Sequence, residues 1–242
     1  MHAEFWIAVG QIILIDILLG GDNAVVIALA CRQLPPELRN KGIFWGTAGA
    51  IVLRVILIFF ALTLLSVPYL KLVGAVLLMW IGVKLLAPDD DDAHGNIQGY
   101  DKLWAAVKTV VVADLVMSID NVVAIAGAAE NIGGDHKMPL VIFGLLVSVP
   151  IIVWGSQIVL KLMDRFPMII TVGGMLLGWI AGGMAVTDPG LLAYVPTTSA
   201  AKPGAAPEVL DAVKYGASAA GALLVLAIGF WQRRRAATAA AG

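Results

Sequence analysis

Cysteine is nearly absent: Cys31 stands alone in 242 residues. One thiol excludes an internal disulfide and any metal centre built from several cysteines. Histidine is almost as scarce. His2, His94 and His136 are far apart and fall at segment ends, so a histidine metal centre is not expected. Charge is thin and balanced, with 14% charged residues and a formal net charge of −1. The basic residues are scattered and not interleaved with aromatics, so nucleic acid is not an expected partner. A cleavable leader is not expected either. The first apolar stretch lacks a basic flank and carries Asp16 inside it.

What the chain has in excess is apolar surface. Hydrophobic residues make up 60% of it, and the mean hydropathy is +0.91. A soluble domain runs at about 45–50% apolar, and a chain this short has no interior large enough for the surplus. The surplus must face lipid. About 20 apolar residues cross the hydrocarbon core as a helix. On that measure seven spans are expected, over residues 5–30, 43–66, 69–87, 103–129, 139–160, 167–186 and 209–231. Pro35-Pro36, Pro68, Pro88, Gly133-Gly134 and Pro167 supply the breaks, and residues 189–207, rich in Ala, Pro, Thr and Ser, read as a flexible connector.

Lys and Arg set the orientation of such a chain. With the N-terminus outside, eleven basic residues fall on the cytoplasmic side: Arg32, Arg39, Lys41, Lys84, Lys102, Lys108, Lys161, Arg165 and Arg233 to Arg235. Lys71, Lys137, Lys202 and Lys214, four in all, fall outside. The expectation is a multi-pass cell (inner) membrane protein, N-terminus out and C-terminus cytoplasmic.

The chain also repeats itself. D-I-L-L-G-G-D-N-A-V-V-I-A from Asp16 matches D-L-V-M-S-I-D-N-V-V-A-I-A from Asp114, so Asp16, Asp22 and Asn23 align with Asp114, Asp120 and Asn121 at an offset of 98. Residues 43–46 match residues 141–144 at the same offset, and Gly74 and Trp80 match Gly173 and Trp179 at 99. A three-span unit is odd-numbered, so its second copy enters the membrane from the opposite side. The expected fold is therefore an all-α integral membrane protein with a 3+3 inverted-topology repeat plus one appended helix. The divisions are residues 1–87, a cytoplasmic acidic linker at 88–102, the inverted copy at 103–186, an external loop at 187–208, and a seventh helix with a basic tail at 209–242. The seventh span has no counterpart and is expected at the periphery.

Four aspartates fall inside spans 1 and 4. Each costs about 2.5–3.5 kcal/mol at the helix centre on insertion scales, about 10 kcal/mol in sum. Such a cost persists where a cation, a proton or a buried partner offsets it. Asp16 and Asn23 are seven apart and share a helix face, as do Asp114 and Asn121. Gly20-Gly21, between Asp16 and Asp22, is placed to unwind the backbone, and Ser118 to satisfy a carbonyl freed by a similar break in the second copy. Asp22 and Asp120 follow those breaks and are the expected direct ligands; Asp16 and Asp114 are expected as supporting or relay groups. The donors are all oxygens, which suit Mg2+, Mn2+ and Ca2+ over Cu+ or Zn2+. Arg54, in span 2, matches Ile152 in the second copy and breaks the symmetry. It reads either as a structural ion pair or as a countercharge to the aspartates. Gly174, Gly178 and Gly182 have the small-xxx-small spacing of close helix packing.

At G-G-D-N-A-V-V-I-A and D-x-x-x-S-I-D-N-V-V-A-I-A the chain resembles the TerC family of integral membrane proteins, in its short seven-span branch. The resemblance covers spans 1–6. It implies kinship with the lysine-exporter superfamily and a role in manganese efflux. Asp16, Asp22, Asn23, Asp114, Asp120 and Asn121 are then the metal-handling positions. Mn2+ is the implied transported substrate rather than a tightly bound cofactor, and the chain is not expected to be an enzyme. The expected function is export of a divalent cation by alternating access, with protons as the candidate exchange partner. A calcium or broad-range divalent exchanger is the alternative within that class. Outside it stand an intramembrane aspartyl protease and a membrane scaffold for metal loading. The expected partners are the cation and the bilayer, and a homo-oligomer is compatible with the sequence.

Overall fold

The computed structural model describes residues 10, 13–14, 21–60, 67–87, 99–130, 137–198 and 208–239, with the side chains at 99, 120, 122–130, 137–141, 236–237 and 239 outside the description. Among the described residues the protein is all-helical save for one two-residue strand pair. Helix α1 covers residues 21–32, followed by α2 (Pro36–Phe59), α3 (Leu70–Leu86), α4 (Gly99–Glu130), α5 (Lys137–Arg165), α6 (Met168–Val186) and α7 (Asp211–Ala239). Four of these are long and apolar enough to cross a membrane, over Pro36–Phe59, Ile142–Arg165, Met168–Val186 and Asp211–Arg235. Helix α3 is only 17 residues long, and α4 carries Asp101, Lys102, Lys108, Asp114 and Asp120. Half of the span expected at residues 5–30 lies outside the described residues.

The helix limits differ from the sequence reading in informative places. Helix α2 starts at Pro36, not at residue 43, because proline suits the first helical position and Glu37 complements the helix dipole there. Helix α5 runs through Pro150. The Ser148 and Ser156 hydroxyls donate back to the Leu145 and Ile152 carbonyls at 2.8 and 2.7 Å. The connector at 189–207 is not wholly irregular. Successive turns follow Asp188, and strands β1 (Thr197–Thr198) and β2 (Glu208–Val209) pair antiparallel, Thr197 opposite Val209.

The helices form two compact units. One draws on Met1–Leu62 and Asn96–Phe166, the other on Thr63–Gly95 and Pro167–Gly242. Each unit thus takes helices from both sequence halves.

In the first unit α2 packs on α4 and α5. The approach of α2 to α4 depends on small residues. A methyl group at Gly46 would meet the Val110 side chain at 3.0 Å. The polarity of this unit is reversed relative to a soluble protein. On α2, Arg54 is 3% exposed while Val52 and Phe59 are each 63% exposed. The polar group faces protein and the apolar groups face outward, as lipid requires. Arg39 Nη1 donates to Asp164 Oδ2 at 2.8 Å, so the start of α2 and the end of α5 lie at one end of the unit.

In the second unit α6 packs against both α3 and α7. The glycine series works as its spacing suggests. A Cβ at Gly178 would strike the Gly221 carbonyl, and one at Gly182 the Ala217 carbonyl, so the backbones of α6 and α7 touch. The appended helix is therefore tightly built into its unit. Asp188 closes the other side. It is fully buried, and its carboxylate accepts backbone N–H groups from Tyr69 and Gly190 at 2.7 Å and from Leu72 at 3.1 Å. It thereby caps the start of α3 from the end of α6, and Tyr69 accepts a left-handed φ of 65° beside it.

Candidate functional site

Helix α2 delivers Arg54 to α4. The Arg54 Nη2 donates to Asp114 Oδ1 at 2.5 Å, and Nε donates to Ser118 Oγ at 3.1 Å. The Ser118 hydroxyl in turn donates to Asp114 Oδ2 at 3.1 Å. Asp114 and Ser118 are four apart on one helix, so both face the same guanidinium. Arg54, Asp114 and Ser118 are 3%, 6% and 0% exposed, which makes this a desolvated network with opposite charges in contact.

Helix α1 supplies the second group. Asp22 is half-buried, and its Oδ1 accepts the Asn23 backbone N–H at 2.9 Å. Asp22 also lies within electrostatic range of both Arg54 and Asp114. Asn23 is buried, yet its amide oxygen and nitrogen have no partner among the described residues. Thr47 Oγ1 on α2 is buried and unpartnered in the same sense. An orphaned buried amide costs free energy unless something outside the described protein atoms satisfies it.

The ends of the three helices set the depth of this group. A methyl at Gly42 would meet Cys31 Sγ at 3.0 Å and Leu103 Cδ1 at 3.5 Å, so residues 31, 42 and 103 lie together. From those residues Asp22, Asp114 and Arg54 are nine, eleven and twelve positions along their helices. At 1.5 Å per residue the charges sit roughly 14–18 Å along the helices from that end, a distance about half of a 30 Å hydrocarbon core.

Asp16 and Gly20 lie outside the described residues, and Gly21 opens the described part of α1. Asp120 and Asn121 lie in α4, where the side chain of Asp120 is outside the description and Asn121 is half-buried. Among the described residues no group of three His, Cys, Asp or Glu side chains could hold a metal. The expected break in the second copy is absent. Helix α4 is continuous over 32 residues, through Asp114, Ser118 and Asp120. Ser118 accordingly bonds the Asp114 carboxylate and the Arg54 guanidinium, and frees no carbonyl. With the helix intact, Asp114 meets the one cation that α2 offers at its level.

Thr47 and Asp188 escaped the sequence reading. Thr47 is seven residues before Arg54 and shares its buried face, a spacing that marks it. Asp188 begins D-P-G, a turn signature directly after a glycine-rich helix.

Residues 1–237 match the family model described as the integral membrane protein TerC family. Among similar proteins, the uncharacterized membrane protein YjbE of Bacillus subtilis (strain 168) is 40% identical over 195 residues, 81% of this chain and 86% of YjbE. The uncharacterized membrane protein YceF of the same strain is 27% identical over 188 residues, 74% of this chain and 71% of YceF. The inner membrane protein YoaE of Escherichia coli (strain K12) is 23% identical over 190 residues, 70% of this chain but 35% of YoaE. No solved structure matches the chain.

Proposed function

The chain belongs to the TerC family of integral membrane proteins, and from that premise we propose that it is a secondary transporter exporting a hard divalent cation, Mn2+ first, by alternating access. The observation that carries the reading is the polar group at mid-depth. Asp22 and Asn23 on α1, the latter with no side-chain partner among the described residues, lie near a second carboxylate, Asp114, that already has its cation. A carboxylate and an unsatisfied amide in a desolvated place are oxygen donors awaiting a cation. The repeat would bring Asp120 and Asn121 to the same task from the second half, with Asp16 adding charge.

The architecture we propose is seven spans, an inverted repeat of three plus three, and an N-terminus outside. The meeting ends support it. The starts of α2 and α4 and the end of α5 share one end of the first unit. In the second unit the Arg233 Nε donates to the Leu86 carbonyl at 2.8 Å, which joins the ends of α3 and α7. Within each unit, the ends that meet are ones that the basic residues mark as cytoplasmic in the proposed topology.

Protons are the proposed exchange partner. Asp16, Asp22, Asp114 and Asp120 contribute −4, and Arg54 with one Mn2+ brings the sum to −1 (−4 + 1 + 2). When the metal leaves, −3 remains, and proton uptake offsets it. The test is metal flux into proteoliposomes of the purified full chain, with and without a proton gradient. Mn2+ flux that responds to the gradient supports the proposal. An absence of metal flux overturns it.

A further inference from the structure

We propose that Arg54 is the built-in cation that stands in for the metal when the carrier returns empty. The inference rests on the transport reading and adds a regulatory part to that same site. The repeat makes the acidic positions nearly twofold: Asp16 with Asp114, Asp22 with Asp120. Arg54 has no such partner, since Ile152 occupies its place in the second half. A charge added to only one half of a symmetric site is not required by the ligand set that both halves share. Its weight is greatest in the empty form, where the two charges of the metal are missing.

That weight is visible in the geometry. A divalent ion offsets two of the four carboxylate charges on the outward journey, and Arg54 offsets a third. On the return the carboxylates remain and the ion does not; protons offset part of the charge, and a carboxylate left buried and unpaired is the costliest state available to the site. The Arg54 guanidinium already holds Asp114 Oδ1, with Ser118 bridging to Oδ2, inside a fully desolvated contact. Asp114 is thereby satisfied without metal, while Asp22 and Asn23 are left for the cargo. Arg54 and the metal feel the same carboxylates, so the two cations compete, and each weakens the hold of the other.

Arg54 is a positioning residue on this account, and the discriminating readout is the mode of transport. Net efflux needs the empty carrier to return, whereas exchange of Mn2+ for Mn2+ does not. In proteoliposomes, Arg54→Gln should slow net efflux by about tenfold or more, leave exchange within about threefold, and lower the half-saturating Mn2+ concentration, because Asp114 loses its only described cation. Arg54→Lys, which keeps the charge, should hold the net-to-exchange ratio near that of the unaltered protein. The double variant Arg54→Gln/Asp114→Asn, which removes both charges, should do the same. Equal loss of both modes in Arg54→Gln with unchanged half-saturation overturns the inference and leaves the transport reading standing. A collapsed ratio in the double variant also overturns it, and that measurement serves where the single variant does not fold. If the unaltered protein moves Mn2+ in neither mode, the transport reading fails and the inference falls with it.

Discussion

A buried carboxylate whose cation is removed behaves differently from one that is salt-bridged to no cation among the described residues. Asp114 belongs to the first kind. Its two oxygens are held by Arg54 and Ser118, and the pair is desolvated on both sides. Asp114→Asn should therefore strand a buried guanidinium and destabilise the protein by about 3–5 kcal/mol, seen as a lower unfolding temperature in detergent. Arg54→Gln/Asp114→Asn should recover most of that loss. A double variant no more stable than Asp114→Asn would show that the pair does not couple. The sequence reading treats Asp114 and Asp16 alike, as supporting or relay groups, whereas the contact with Arg54 gives Asp114 a structural role as well. The motif alone makes them equivalent, because the alignment records position along the helix and not what a neighbouring helix delivers. Asp22 is of the second kind. Among the described residues it accepts the Asn23 backbone N–H, so Asp22→Asn removes charge without orphaning a cation. Insertion and folding should survive, and Mn2+ efflux should fall severely, as it should for Asp120→Asn. Near-normal efflux by both well-expressed variants, measured as survival of a manganese-sensitive host, would remove these residues from the site.

Element scale shows where the sequence was legible and where it was not. Apolar length located α2, α3, α5, α6 and α7 because lipid-facing helices must be apolar nearly all round. The glycine series in α6 was legible for a related reason: at Gly178 and Gly182 a carbonyl of α7 occupies the space where a side chain would begin, and at Gly174 the Leu86 side chain of α3 does. Gly178→Leu should therefore separate α6 from α7 and lower the unfolding temperature, by on the order of 3 kcal/mol or more since backbone cannot yield as a side chain does. Gly216→Ala, in α7 but with open space around it, is the control and should be neutral. Buried polar links were less legible, because nothing in Asp188 itself says that its partners lie 119 and 116 residues away. Three backbone N–H groups converge on this carboxylate, and two of them belong to the start of α3. Asp188→Ala should cost about 2–4 kcal/mol through the lost cap and unsatisfied donors, with Asp188→Asn milder because an amide oxygen still accepts. Equal unfolding temperatures for Asp188→Ala and the unaltered protein would show that water replaces the cap. The expected break near Ser118 failed for a physical reason of the same sort. A continuous helix loses no backbone hydrogen bonds, and Arg54 makes breaking it unnecessary.

At the scale of the whole molecule, the two compact units cut across the two sequence halves. The first takes α1 and α2 from one half and α4 and α5 from the other; the second takes α3 and α6, with α7 added. That division follows if a twofold relates the halves, since each unit then holds both members of every related pair. Two tandem domains would instead each keep their own three helices. The proposed repeat makes a claim about sidedness. A three-span copy would reverse its direction, so the loop after span 1 and the loop after span 4 would lie on opposite faces although their motifs are alike. Residues 31, 42 and 103 lie together, which sets the end of α1 beside the start of α4, as an antiparallel course of these two motif-bearing helices would require. The natural Cys31 is fully buried, so a cysteine-free background made by Cys31→Ser would leave a clean reporter. Single cysteines placed at residues 36–41 and at residues 131–136 should then react with a membrane-impermeant thiol reagent from opposite sides. The first set should label only after the cytoplasmic face is opened, and the second in intact cells. Labelling of both sets from one side would break the inverted repeat, and with it the argument that Asp22 and Asp120 approach a shared site from opposite directions. Labelling from opposite sides, joined to a loss of efflux in both aspartate variants, would tie the duplicated motif to one central path for the ion.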